Sequence, residues 1–396
     1  MHERRSLRFF SILFALGAVH CSSDNGGSGS GGQGGSDSLQ PGSGGFTAGS
    51  GGFTAPGGSL GSGGSLGSGG SLGNGGILGN AGSVGNAGDM GSGGSLGNGG
   101  SGTAGAPGSG GGGATDCSGK PGAHRGQSNQ ALSAGGLNRT WVLYEPSTLD
   151  PNKAVPIVFV FHGWTMSGQQ MQLITEYNKI ADREGFVVAY PDGETGPNST
   201  GAPWNVGQGV CVPGNAVAAT GDDNAFIDAM KSFIEADQCV DEKHVFATGF
   251  SMGGYFSHQI GCTRPDIAAV GPHSGGTHPF DSCTTGHKPV IIFHGTADPL
   301  IPISCDDTSR QQWVQKNGCG TDVDATGGPV LAPLLKKGNG VCEFSKGCPA
   351  DGQVVYCKFT GLGHAWAGGA AGQGFSDANY DSAAELGWAF FKNYAW

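Results

Sequence analysis

From about residue 132 to the end of the chain, short apolar runs alternate with stretches of helical period. Residues 140–144 (TWVLY) are β-rich and stop before Pro146. Residues 155–161 (VPIVFVF) form an unbroken apolar run, the pattern of a strand buried on both faces. Residues 169–184 predict one helix, with Met171, Ile174, Asn178 and Ala181 along one side. Residues 186–190 (FVVAY) predict the next strand. A helix then opens at Gly221-Asp222-Asp223 and runs through Ala236, with Phe226, Ala229, Met230 and Phe233 as its buried stripe. Asp222 or Asp223 is expected to cap it. Strands are expected at 244–250 (HVFATGF), 289–293 (PVIIF) and 354–359 (VVYCKF), and helices at 253–262 and 380–394. Such alternation, with uniformly apolar strands, predicts a mostly parallel sheet covered by helices on both faces. In sheets of this kind the site lies beyond the carboxyl ends of the strands.

The chain before residue 117 has a different pattern. Residues 22–116 hold 41 of the 81 glycines, almost no charge, and no aromatic residue except Phe46 and Phe53. An apolar residue recurs there every six positions, at Leu60, Leu66, Leu72, Leu78, Val84, Met90 and Leu96. One reading is a short β-helix of hexapeptide repeats. The other, which we expect, is a disordered tether, because so much glycine leaves nothing to offset the entropy of ordering. The catalytic unit is then expected at 117–396, a size suited to one α/β domain.

Charge and cysteines narrow the class further. Of the net charge of −11, residues 1–116 contribute three basic and five acidic side chains, and no Lys/Arg cluster stands out in the rest. Nucleic acid is therefore not an expected partner. Arg4, Arg5 and Arg8 followed by the apolar run 9–19 read as an export signal, too short to span a bilayer. Cys21 follows at once and resembles the acylated cysteine of a bacterial lipoprotein, although His20 stands where a small residue is usual. We therefore expect a secreted or cell-surface protein, with Cys21 as candidate lipidation site and membrane attachment. The ten remaining cysteines fit up to five disulfides in an oxidising compartment, with pairing not deducible. Without a CxxC pair or zinc-finger spacing, no metal is expected.

The chemistry is carried by Gly249-Phe250-Ser251-Met252-Gly253, a G-x-S-x-G placed between an expected strand and an expected helix. So sharp a reversal strains the serine backbone, requires glycine two residues to either side, and leaves the serine Oγ clear of the sheet. Ser251 is thus the expected nucleophile. The α/β-hydrolase order, Ser then acid then His, points to Asp298 after strand 289–293 and to His364 after strand 354–359. Asp298 would orient His364, and His364 would take the proton of Ser251. Asp306, Asp307 and Asp322 are rival acids that follow no strand directly. His273 and His294 read as structural. The oxyanion hole is expected from the N–H of Met252 and that of Trp164, with Gly163 or Thr165 as alternatives. The His162 side chain is expected to support that loop.

The succession HGW (162–164), YPDG (190–193), WN (204–205), DD-x-x-FI (222–227), GFSMGG (249–254), HGTAD (294–298) and GLGHAW (361–366) resembles carbohydrate esterase family one of the α/β-hydrolase superfamily. Within it the chain is most similar to the group shared by feruloyl esterases and extracellular polyhydroxybutyrate depolymerases. The resemblance runs from about residue 132 to the end. It implies an α/β-hydrolase fold, no cofactor, and an ester whose acyl or polymeric part lies in a surface groove. It also implies substrate contact at Trp366, and Trp204 is assigned to substrate binding with it. Ala367 stands where many depolymerases have proline, and no separate polymer-binding module is expected beside the domain. Both weigh toward release of feruloyl or acetyl groups from xylan by a monomeric domain, ahead of polyester depolymerisation. A peptidase would need a propeller-sized N-terminal domain. A non-catalytic adhesin would have lost the triad, and here its three members stand in order.

Overall fold

The computed structural model describes residues 117–195, 201–206, 211, 219–277, 280 and 283–395. The expected export signal, Cys21 and the glycine-rich stretch 22–116 lie outside the described residues.

A hairpin of β1 (Gly126–Ala134) and β2 (Leu137–Glu145) leads into β3 (Val155–Phe161). Then come α1 (Gly168–Thr175), α2 (Tyr177–Glu184), β4 (Val187–Pro191), α3 (Asp223–Asp237), β5 (Val240–Phe250) and α4 (Met252–Thr263). After β6 (Ala269–His273) and β7 (Val290–Gly295) follow α5 (Ile303–Lys316), the two-residue β8 (Val323–Asp324) and α6 (Gly328–Leu331). β9 (Gly340–Ser345), β10 (Val354–Phe359), β11 (Trp366–Ala367), β12 (Ser376–Asp377) and α7 (Ala383–Phe391) complete the order.

Ten strands form one sheet in the order β1-β2-β4-β3-β5-β6-β7-β10-β9-β8. The central strands β4 to β10 pair in parallel, and antiparallel pairs close both edges. The continuous apolar run of β3 divides by residue parity, since successive side chains point to opposite faces. Val158 and Val160 join one core with α1, α2 and α7. Ile157, Phe159 and Phe161 join the other with α3, α4 and α5. The result is the α/β-hydrolase fold, a mostly parallel sheet covered on both sides.

Several elements differ from the pattern-based expectation. The helix expected over 169–184 is two helices, divided at Glu176 with φ 58°. No glycine or proline marks the break; the packing of Ile174 and Tyr177 under the sheet overrides local propensity. β1 is a half-exposed edge strand of polar residues and carried no apolar signal. β6 lies centrally despite Pro272, which ordinarily argues against a central strand. α5 buries Asp306 and Ser309 beside Cys305 and Trp313, so it shows no clean apolar stripe. Asp222 accepts from the Ala225 N–H and caps α3, while Asp223 pairs with the buried Arg139 at 2.8 Å.

The ten cysteines pair as Cys117–Cys239, Cys211–Cys305, Cys262–Cys283, Cys319–Cys348 and Cys342–Cys357. Five crosslinks fit an oxidising compartment. The first fastens the entering chain to the end of α3, where the Asp237 carboxylate also accepts from the N–H groups of Ala123 and His124.

Glu145 is buried at the same place, at the end of β2. Burial, with the nearby Asp237 carboxylate, pushes its pKa up to about 7 against the pull of Arg125. An acid whose folded pKa exceeds its unfolded value favours folding fully below the unfolded value, near 4.5, and this contribution is lost as pH rises through about 7. Glu145→Gln should therefore remove a fall in unfolding free energy of about 2 kcal/mol between pH 4.5 and 8, discounted because Arg125 beside it reaches solvent. Denaturant unfolding at both pH values checks this; an unchanged pH slope in the variant contradicts it.

Candidate active site

At the end of β5 the chain turns into α4 through Ser251, which sits at φ 55°, ψ −117°. Few non-glycine residues hold such geometry, and they do so where the surroundings over-determine it. Here the Ser251 N–H donates to the His273 carbonyl at 2.9 Å, and its own carbonyl accepts from the Tyr255 N–H at 3.1 Å. The glycines on either side are required by space. A Cβ on Gly249 would run into the Gly253 carbonyl, and one on Gly253 into the Phe161 carbonyl. Ser251 thus stands at the carboxyl edge of the sheet, with Met252 opening α4.

Asp298 lies in the loop after β7 and His364 in the loop after β10. The His364 Nδ1 is 2.7 Å from Asp298 Oδ2. The other carboxylate oxygen accepts from the N–H groups of Leu300 and Ile301, both at 2.9 Å. Burial alone would raise the Asp298 pKa, but the hydrogen bond and charge of His364 and these two N–H groups outweigh it and hold the carboxyl below its ordinary value. A donor at Nδ1 leaves the His364 lone pair on Nε2. The His364 ring lies 4.7 Å from that of Phe250, the residue before Ser251. The structure therefore brings the loops of all three expected residues to one rim.

His273 joins two of those segments. Its Nε2 accepts from the Ala367 N–H at 3.1 Å, which puts its proton on Nδ1, toward Ser274 Oγ at 3.0 Å. Burial, with the charge of His294, drives its pKa down to about 3, so the ring stays neutral. Through its carbonyl and ring, this residue ties the nucleophile turn to the strand that follows His364.

The loop after β3 is held by a second neutral imidazole. The His162 Nε2 accepts from the Gly193 N–H at 2.8 Å, so Nδ1 carries the proton and donates to the Gly163 carbonyl at 2.7 Å. Burial lowers the His162 pKa to about 4. The Gly163 carbonyl also accepts from Met166 N–H at 3.1 Å. In a trans peptide, C=O and the next N–H point in opposite directions. The Trp164 N–H therefore points away from the Gly163 carbonyl that these two donors hold. The Thr165 N–H is donated to the Gly201 carbonyl, which removes it from the expected oxyanion donors.

The two tryptophans assigned to substrate binding are buried. Trp366 is 0% exposed and stacks on His273 at 4.9 Å. Trp204 is 1% exposed, stacks on Phe256 at 5.2 Å and donates its Nε1–H to the His162 carbonyl at 2.8 Å. Both rings pack against residues that frame the site. Of the rival acids, Asp306 and Asp307 lie in α5, Asp306 within bonding distance of His294 in β7. What the sequence did not signal is which large apolar side chains stay exposed in these segments. Trp164, Leu300 and Phe375 are 38%, 46% and 48% exposed, and they sit in the segments carrying the expected oxyanion hole, acid and base. The Phe375 ring is 6.3 Å from His364, edge to face, and its backbone lies at φ 60°, unusual for a bulky residue.

A family model described as Dienelactone hydrolase family matches residues 143–324. A probable feruloyl esterase C of Aspergillus clavatus is 34% identical over 205 residues, which cover 50% of this chain and 68% of that protein. A feruloyl esterase C of Emericella nidulans is 31% identical over 52% of this chain and 75% of its own length. The chain belongs to the feruloyl esterase family of carbohydrate esterases. It is therefore a carboxylic ester hydrolase of the α/β-hydrolase type. A bifunctional acetylxylan esterase/xylanase of Neocallimastix patriciarum is 30% identical over 58% of this esterase, which spans 31% of that longer protein.

The bracing role of Trp204 is open to a direct check. Trp204→Phe keeps the ring stack on Phe256 and orphans only the His162 carbonyl, at about 1–3 kcal/mol. The expected result is a lower melting temperature and a lower kcat with KM unchanged. A raised KM with kcat and stability intact would restore contact with substrate.

Proposed function

We propose that this esterase releases feruloyl or acetyl groups from xylan outside the cell, by an acyl-enzyme mechanism on Ser251, His364 and Asp298. The observation that carries the proposal is the Asp298–His364 hydrogen bond at 2.7 Å, beside the strained turn that presents Ser251. His364 Nε2 takes the proton as Ser251 Oγ attacks the ester carbonyl. The resulting oxyanion is held by the N–H of Met252, at the start of α4, and by that of Trp164, in the loop that His162 braces through Gly163. As the intermediate collapses and the bond to the sugar oxygen breaks, His364 gives its proton to that oxygen, which leaves as a hydroxyl. Water deacylates Ser251 through the same base, and no cofactor takes part.

The relatives named feruloyl esterase and acetylxylan esterase supply the substrate class, and the five disulfides support an extracellular setting. The exposed Trp164, Leu300 and Phe375 favour a planar aromatic acyl group over acetyl. The domain acts as a monomer in this reading, and acylation at Cys21 would hold it at a membrane, with 22–116 between them.

Ser251→Ala should abolish p-nitrophenyl acetate hydrolysis while circular dichroism and melting temperature stay close to those of the parent; retained turnover removes Ser251 as nucleophile. Methyl ferulate, acetylated xylan and polyhydroxybutyrate offered side by side should rank methyl ferulate first. Release of 3-hydroxybutyrate without activity on the other two would point to a polyester depolymerase. Phe375→Ala should lower kcat/KM for methyl ferulate about 10-fold or more, and leave p-nitrophenyl acetate within about twofold. Equal losses on both substrates would mean that Phe375 does not select the acyl group.

A further inference from the structure

Behind Asp298 lies a second histidine–carboxylate pair that the reaction just described leaves unused. His294, the penultimate residue of β7, and Asp306, in α5, are both 0% exposed. The His294 Nδ1 is 2.5 Å from Asp306 Oδ2, and its Nε2 is 2.9 Å from the Ile301 carbonyl oxygen. Each ring nitrogen thus faces an acceptor. A neutral imidazole has one N–H; satisfying both contacts by donation takes two. The same Nε2 lies 3.7 Å from Asp298 Oδ2, the oxygen that holds His364.

The neighbours agree with a cation here. His258 in α4 accepts the Trp313 Nε1–H on its Nδ1 at 2.9 Å. Its remaining N–H is on Nε2, 3.1 Å from the Gly275 carbonyl and 3.7 Å from Asp306 Oδ1. Asp306 is thereby flanked by two imidazole N–H groups, which favour the carboxylate over the acid. The charges of Asp306 and Asp298 and the bonds to Asp306 and Ile301 raise the His294 pKa against the effect of burial. The other titratable groups facing the pair are His273 on β6, Tyr255 on α4 and Tyr356 on β10; the first stays neutral and the burial of both phenols raises their pKa.

We infer that His294 is held as a permanent imidazolium, a positioning residue that sets the charge seen by the Asp298–His364 pair. Asp298 then lies between two imidazole rings on one carboxylate oxygen. The cation opposes the build-up of a second positive charge beside Asp298 during the reaction. The positive end of the pair faces Asp298, with the Asp306 charge beyond it. Removing the pair should therefore shift the acid limb of the rate upward in pH.

The protonation state rests on geometry alone; the kinetic consequence rests also on the triad proposed above, and two measurements keep them apart. Nitrogen-15 NMR of the full chain should show His294 with both ring nitrogens protonated from pH 6 to 9, assigned by loss of the signals in His294→Gln. A neutral His294 tautomer at pH 7, with the proton on Asp306, overturns the inference whatever the triad does. If His294→Gln does not fold, because Asp306 is left unpaired, His294→Gln with Asp306→Asn replaces both charges by an amide pair and serves for assignment and kinetics. In that double variant the acid limb of kcat/KM for p-nitrophenyl acetate should move up by about half a pH unit or more. An unmoved limb, with the fold intact, overturns the electrostatic role, and Ser251→Ala tests the triad independently.

Discussion

The architecture depends on keeping Ser251 in a backbone conformation it would not adopt alone. At φ 55° the residue is strained, and the strain persists because its N–H is committed to the His273 carbonyl and because Gly249 and Gly253 let three chain segments approach without a Cβ between them. Strand β5, helix α4 and the carbonyl end of β3 meet there. The ordered cores on both faces of the sheet supply the rigidity that holds this turn, and the turn in turn decides where the serine hydroxyl stands.

Three buried imidazoles divide the work of holding the loops around it. His162 and His273 are neutral, each accepting one backbone N–H and donating on its other nitrogen, and burial keeps them so. They act as rigid struts between backbone segments far apart in sequence. His294 faces acceptors on both sides and carries charge toward Asp298. The same side chain therefore serves as crosslink or as cation according to whether its second nitrogen meets an N–H or an oxygen. The motif residues around HGW work as scaffolding in a similar way. Gly193 fixes the His162 ring, Trp204 fixes its carbonyl, and Asp223 ties the Asn205 N–H at 2.7 Å to Arg139.

Much of this was legible in the sequence, for definable reasons. Apolar runs such as VPIVFVF report a strand buried on two faces, and a G-x-S-x-G between strand and helix reports a turn that only glycine allows. What was not legible had either no apolar signal or a misleading one. The edge strand β1 is polar, β6 carries Pro272, and α5 buries Asp306 as a partner of His294 where a periodic helix would bury leucine. Trp204 and Trp366 stand next to motif residues in sequence, and both rings are buried, stacked on Phe256 and His273. Adjacency along the chain does not say which way a ring points.

The order of chemistry along the chain was thus set by local rules: strand ends, glycine spacing and the succession Ser, acid, His follow from covalent geometry and hydrophobic period. Protonation and exposure were decided only by the folded molecule. They depend on what each nitrogen and ring meets across the sheet, and those partners come from segments distant in sequence, 94 residues apart for Ala367 on His273. Five disulfide pairings belong to the same class, because closing a loop requires two distant backbones to arrive together. So does the exposure of Trp164, Leu300 and Phe375, which no local pattern signals.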